Sequence, residues 1–217
     1  MYGSIVSKVE SILASFYGFD PQVKASDFIM KAVKDEPRSE TGRFDLERPA
    51  TIFQHEKGEL DIGIYVPSKN FAPESCPLES LNIRNLDYYC AISEEVSHFH
   101  FIINRYNNSK TFSLLELEWQ GEVDRFLCAS VLLHEQCGHS HHHHLFALFS
   151  SAGLNCHPDL RERYEEAGRL ALMFLKNTIT PIFGKNPFGK KAIQSRMRDA
   201  YSAEWSAKVG LSKKRVG

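Results

Sequence analysis

The chain holds 217 residues, 42% of them hydrophobic, 12% aromatic and 24% charged. That suits one core domain with a short appendage and is too little for two domains of the usual size. No apolar run approaches the roughly 18 residues of a membrane-spanning helix. Met1 to Glu10 also lacks the basic-then-apolar order of a signal peptide, so the expected address is cytoplasmic.

Five cysteines, Cys76, Cys90, Cys128, Cys137 and Cys156, form no C-x-x-C pair and are read as reduced thiols. A formal net charge of -1 speaks against a globally basic nucleic-acid binder, but the charge is uneven. Residues 185–217 carry nine Lys/Arg against Asp199 and Glu204, a net of +7, which leaves -8 on the rest.

In chain order, Ile5, Val9, Ile12, Leu13 and Phe16 fall at helical spacing between Ser4 and Tyr17. Asp27 to Lys34 reads as a second, short helix behind Ser26, and residues 35–50 as a polar loop with two prolines. Thr51–His55 and Glu59–Val66 flank Glu56-Lys57-Gly58 and alternate in polarity, which predicts a β-hairpin with one buried face. Ser68 to Pro77 is too proline-rich for regular structure.

From Leu86 the period becomes helical and the apolar residues run nearly all round, as in a buried central helix. Asn107–Lys110 breaks it. Thr111 or Ser113 can cap a second helix running to about His134, with Leu115, Trp119, Glu122, Phe126, Ala129 and Leu133 in one seam. Leu145–Phe149 is an apolar half-helix, and Asp159 can cap a third long helix through Phe174, ended by Pro181. A Gly/Pro linker then leads into a basic helix over Ala192–Lys208. The expected architecture is α+β and mostly helical, with a small antiparallel hairpin or sheet packed on a central helical hairpin at 86–134. A single domain over residues 1–182 would be followed by a basic C-terminal helix and tail over 183–217.

Carboxylates on the core stripe of a helix must be paired, protonated or metal-bound, because burying one bare costs several kcal/mol or more. Glu94 and His98 stand four residues apart on the first central helix, with Glu95 beside them, and the second offers Glu118, Glu122 and Asp124. Antiparallel packing of the two would bring these groups face to face, as divalent-metal ligands require.

The order of these elements resembles that of the short gluzincin metallopeptidases. There a hairpin with an edge strand precedes a helix bearing H-E-x-x-H, and the next helix supplies a glutamate in an E-A-[DN]-x-F-like run. The hairpin at 51–66, Glu94-Glu95-Val96-Ser97-His98 and Glu122-Val123-Asp124-Arg125-Phe126 match that order over residues 51–130. The resemblance implies a zincin-like protein in which Glu94, His98 and Glu122 hold the metal and Glu95 is the general base. Glu94 stands where the family has histidine, and the extra carboxylate shifts preference from zinc toward iron or manganese. The expected function is an atypical metal-dependent hydrolase or a repurposed, non-catalytic scaffold.

Two other readings use the same residues. Glu95-x-x-His98 has the spacing of di-iron carboxylate helices, although no second E-x-x-H exists. A purely structural role would pair His98 with Glu122 and Glu118 with Arg125.

His134, His139, His141, His142, His143 and His144 lie within one eleven-residue stretch and form a separate, weak metal site of flexible imidazoles. The basic tail could dock on a protein partner or on the acidic body of a second copy, which would make the chain an interaction protein with no metal chemistry in its core. No G-x-G-x-x-G, G-x-x-x-x-G-K-[ST] or G-x-S-x-G is present.

Overall fold

The computed structural model describes residues 2–18, 23–30, 48–67, 85–137, 158–179 and 190–213. Among the described residues, six helices and one three-stranded mixed sheet make the fold α+β and mostly helical, as the sequence predicts. The helices are α1 (Tyr2–Tyr17), α2 (Leu86–Asn107), α3 (Leu114–Cys137), α4 (Pro158–Phe174), α5 (Lys190–Ser202) and α6 (Trp205–Lys213). A π-helical turn, Leu175–Ile179, extends α4. None of the described helices is long and apolar enough to cross a membrane.

The strands are β1 (Ile29–Met30), β2 (Ala50–Glu56) and β3 (Glu59–Tyr65), in the order β1-β3-β2. The predicted hairpin closes through Lys57 and Gly58, both with positive φ, the backbone that a two-residue turn between twisted strands needs. The helix predicted over Asp27–Lys34 is corrected at its start. A 3-10 turn, Ala25–Phe28, gives way to β1, which runs parallel to β3 with Ile29 opposite Ile64. The open edge of β3 takes up Ile29, whose β-branched side chain suits a strand. Residues 31–34 lie outside the described part.

α2 and α3 form the central hairpin. Ser113 caps α3, its Oγ accepting the Glu116 N–H at 3.1 Å. Arg105 of α2 faces Glu116 of α3, and Ser97 faces Asp124, so the two helices run antiparallel. The hairpin of strands lies along α2. The Thr51 N–H donates to Glu95 Oε2 at 2.5 Å, Thr51 Oγ1 donates to the Glu95 carbonyl, and the Tyr106 hydroxyl donates to the Gly58 carbonyl.

Two buried polar ties hold the outer helices to this centre. In the first, the Tyr17 hydroxyl of α1 and Ser97 Oγ donate to Asp124, and Gln120 Nε2 reaches both Asp124 oxygens at 3.1 Å. In the second, Glu116 Oε1 meets Arg105 Nη2 at 2.5 Å and Lys208 Nζ at 2.9 Å. Lys208, on α6, is 0% exposed, and its ammonium lies over the rings of Phe101 and Trp119. The predicted single basic helix is therefore two helices. At the break, Arg105 Nη2 donates to the Ala203 carbonyl at 2.8 Å and so caps the end of α5. Ile193, Met197, Ala200 and Tyr201 of α5 are buried, so this helix packs an apolar face into the core.

Glu116→Gln removes the anion between two buried cations and should destabilise the protein by about 3–5 kcal/mol in chemical denaturation. Burial raises the Asp124 carboxyl to about 6, against the hydrogen bonds that favour its charged form. Its folded pKa thus exceeds its unfolded one, so the stabilisation is present in acid and is lost as pH rises through about 6. The stability of the wild type relative to Asp124→Asn should fall by about 2–3 kcal/mol between pH 4 and pH 7.

Candidate metal centre

Glu94, Glu95 and His98 project from α2, and Glu118 and Glu122 from α3, into the seam between the two helices. Gly121 lets them meet. A Cβ at that position would lie 2.7 Å from His98 Nε2 and 3.2 Å from Glu94 Cγ, so a larger residue would force the His98 ring to shift. One ligand atom each from Glu94, His98 and Glu118 lie within 4.8 Å of one another.

His98 is presented as a ligand. Its Nδ1 lies 3.5 Å from Glu95 Oε2, which the Thr51 N–H fixes from strand β2. A carboxylate behind one ring nitrogen sets the tautomer and leaves the lone pair on the other, the arrangement found behind many metal-bound histidines. That other nitrogen, Nε2, is buried, makes no hydrogen bond, and faces Glu118 Oε2 at 3.7 Å. Glu118 Oε2 is likewise buried without a hydrogen bond. The gap is too wide for a hydrogen bond. Two donors each about 2.1 Å from a shared ion can stand up to about 4.2 Å apart, so the gap fits a common metal.

The charges make the same demand. Glu94, Glu95, Glu118 and Glu122 face Arg125 and Arg163, so with His98 neutral the cluster keeps two uncompensated negative charges. Without a cation, protons take up the imbalance. Burial pushes the Glu118 carboxyl up to about 7, opposed by His98 and Arg163. Burial lowers the basicity of His98, but Glu95, with Glu118 and Glu94, outweighs it and lifts the imidazole to about 9. Burial raises Glu122 as well, against Arg125.

Of the residues singled out from sequence, Glu94 and His98 fall in this group, and Glu118 is its third member. Glu122 is turned to Arg125, whose Nη2 donates to Glu122 Oε2 at 3.0 Å while Nη1 donates to Glu94 Oε2 at 3.1 Å. In place of the pairings of a purely structural role, His98 with Glu122 and Glu118 with Arg125, the short contacts run from His98 to Glu95 and Glu118 and from Arg125 to Glu94 and Glu122. Arg125 reaches Glu122 one turn away on its own helix rather than Glu118 two turns away. Glu95, predicted to be the general base, has one oxygen that accepts from the Thr51 N–H and lies 3.5 Å from His98 Nδ1. His134 lies in the last turn of α3, and His139, His141, His142, His143 and His144 lie outside the described residues.

Sequence reasoning missed the α4 side of the site. Arg163 Nη2 stands 3.6 Å from Glu118 Oε1 and its guanidinium lies over the Tyr164 ring, while burial and then Glu118, Glu94 and Glu95 push the Tyr164 phenol up. No local spacing links α4 to α2 or α3, which is why no motif revealed these two residues.

Comparisons with family models, with curated proteins and with solved structures found no match to this chain.

Gly121→Ala should cost about 1–3 kcal/mol of stability, because the new methyl must displace His98. Gly168→Ala, in α4 with nothing within 4 Å, should instead stabilise by up to about 1 kcal/mol. Thermal denaturation of the pair separates a steric requirement for glycine from the general helix preference for alanine.

Proposed function

We propose that this chain is a divalent-metal protein of zincin-like design whose ion is held by Glu94, His98 and Glu118, and that the ion serves hydrolysis. One observation carries the reading. His98 is held through Nδ1 by Glu95 while its buried Nε2 and the buried Glu118 Oε2 face each other with no hydrogen bond. Unmade hydrogen bonds in a dry core cost free energy unless something occupies the site between them.

A divalent ion bound there supplies Lewis acidity toward a substrate oxygen and lowers the pKa of water. The remaining chemistry belongs to the chain's own residues. Glu95 fixes the imidazole, Arg125 holds one oxygen of Glu94, and the glycine at 121 keeps α3 close enough for Glu118 to complete the set. Two carboxylates and one imidazole are a hard, oxygen-rich donor set, which suits Mn²⁺ or Fe²⁺ as well as Zn²⁺.

The rival reading, an interaction protein that docks through its basic C-terminal segment, is not favoured. Lys208 is spent inside the core on Glu116, and α5 buries an apolar face.

Metal analysis of protein purified without a nickel column should give one divalent ion per chain at this cluster. His98→Ala and Glu118→Gln should lose it, and Glu122→Gln should keep it. Glu95→Gln should lower affinity about 10–100-fold, as loss of a carboxylate behind a ligating histidine does. Retention of the ion by His98→Ala would place the metal elsewhere. Turnover of a peptide and ester panel by the loaded wild type, absent from His98→Ala, supports a hydrolase. An ion bound tightly with no turnover supports the scaffold instead.

A further inference from the structure

The two guanidinium groups at the cluster are used very differently. Arg125 is engaged by Glu94 and Glu122 at 3.1 and 3.0 Å. Arg163 makes no hydrogen bond to the cluster. Its nearest carboxylate oxygen is Glu118 Oε1 at 3.6 Å, and its Nε is buried with no acceptor at all. Its side chain is nonetheless 27% exposed, so a molecule arriving from solvent can reach it. The guanidinium is therefore partly open to solvent, with N–H donors that the cluster does not use.

The partner that suits these donors is an anion. A guanidinium offers a planar fork of N–H donors that matches the oxygens of a carboxylate or a phosphoryl group. Tyr164 adds to this. Arg163 lies over its ring at 5.6 Å, and a phenol hydroxyl can donate a hydrogen bond.

Charge fixes when such an anion can bind. Without the ion, Glu118 is the nearest counter-charge to Arg163, whereas a divalent ion draws Glu118 to itself and leaves Arg163 as a cation without a full partner.

We infer that Arg163, with Tyr164 beside it, is the anion-recognition element of the site, which takes substrates bearing a carboxylate or phosphoryl group next to the reacting atom. This rests on the metal reading above. It also requires reciprocity: an anion that binds only the loaded protein must raise the affinity for the ion by the same factor.

The test is calorimetric titration of inorganic phosphate, and separately of acetate, into Mn²⁺-loaded and metal-stripped wild type, Arg163→Gln and Arg163→Lys. At least one anion should bind the loaded wild type and not the stripped protein. Arg163→Gln should keep its Mn²⁺ and bind that anion about tenfold more weakly or worse, and Arg163→Lys should recover part of the loss. Tighter binding of phosphate assigns a phosphoryl substrate, and tighter binding of acetate a carboxylate. In wild type alone, the preferred anion should raise Mn²⁺ affinity, a readout that stands even if Arg163→Gln does not fold. Loaded wild type that binds neither anion, or Arg163→Gln that binds as tightly as wild type, overturns the proposal while leaving the metal site intact. Wild type that takes up no Mn²⁺ at this cluster overturns the metal reading itself and this inference with it.

Discussion

Along one face and flank of α3 the chain buries four carboxylates, Glu116, Glu118, Glu122 and Asp124. Each must be compensated within the protein, since a bare buried carboxylate costs more than a domain's margin of stability allows. Three of them are. Glu116 holds Arg105 and Lys208, Glu122 holds Arg125, and Asp124 accepts from Tyr17, Ser97 and Gln120. Glu118 has only His98 at 3.7 Å and Arg163 at 3.6 Å, with one oxygen unbonded. Among the described residues, Glu118 is therefore the least compensated of the four carboxylates on this helix.

The same requirement shapes the architecture around the hairpin. α1 reaches α3 through the Tyr17 hydroxyl, and α6 brings Lys208 in between Phe101 and Trp119 to balance Glu116. The outer helices therefore carry polar partners to the centre as well as apolar area. A buried ion group of this kind contributes little net stability against a well-packed apolar alternative, but breaking it is expensive, so it fixes which helices meet and in what register. β2 does the same for the site, because its Thr51 N–H sets Glu95 and Glu95 sets His98.

Period and punctuation made much of this legible in the sequence. The hairpin around Lys57 and Gly58, the Ser113 cap and the two central helices follow from short-range pattern, and the facing of Glu94 and His98 toward α3 follows from their spacing of four. Choosing between Glu118 and Glu122 did not, because both lie on the inward side of α3 and the choice depends on where Arg125 turns. Ile29 left the expected helix because a strand edge was available, a fact about β3 and not about its neighbours in sequence. Arg163, Tyr164 and Lys208 reach the centre by long-range packing, and Lys208 in particular reads as a solvated tail residue until Glu116 is seen beside it.

An ion at Glu94, His98 and Glu118 would be held by a single imidazole and carboxylate oxygens in the core, apart from the histidine-rich stretch of sequence that follows α3. X-ray absorption spectroscopy on wild-type protein loaded with one equivalent of Zn²⁺ tests this most directly. The expected first shell is nitrogen and oxygen at about 2.0–2.1 Å, with the outer-shell scattering of one imidazole and no sulfur. Scattering from two or more imidazoles, or a sulfur shell at about 2.3 Å, would show the ion bound elsewhere in the chain and would contradict the assignment to Glu94, His98 and Glu118.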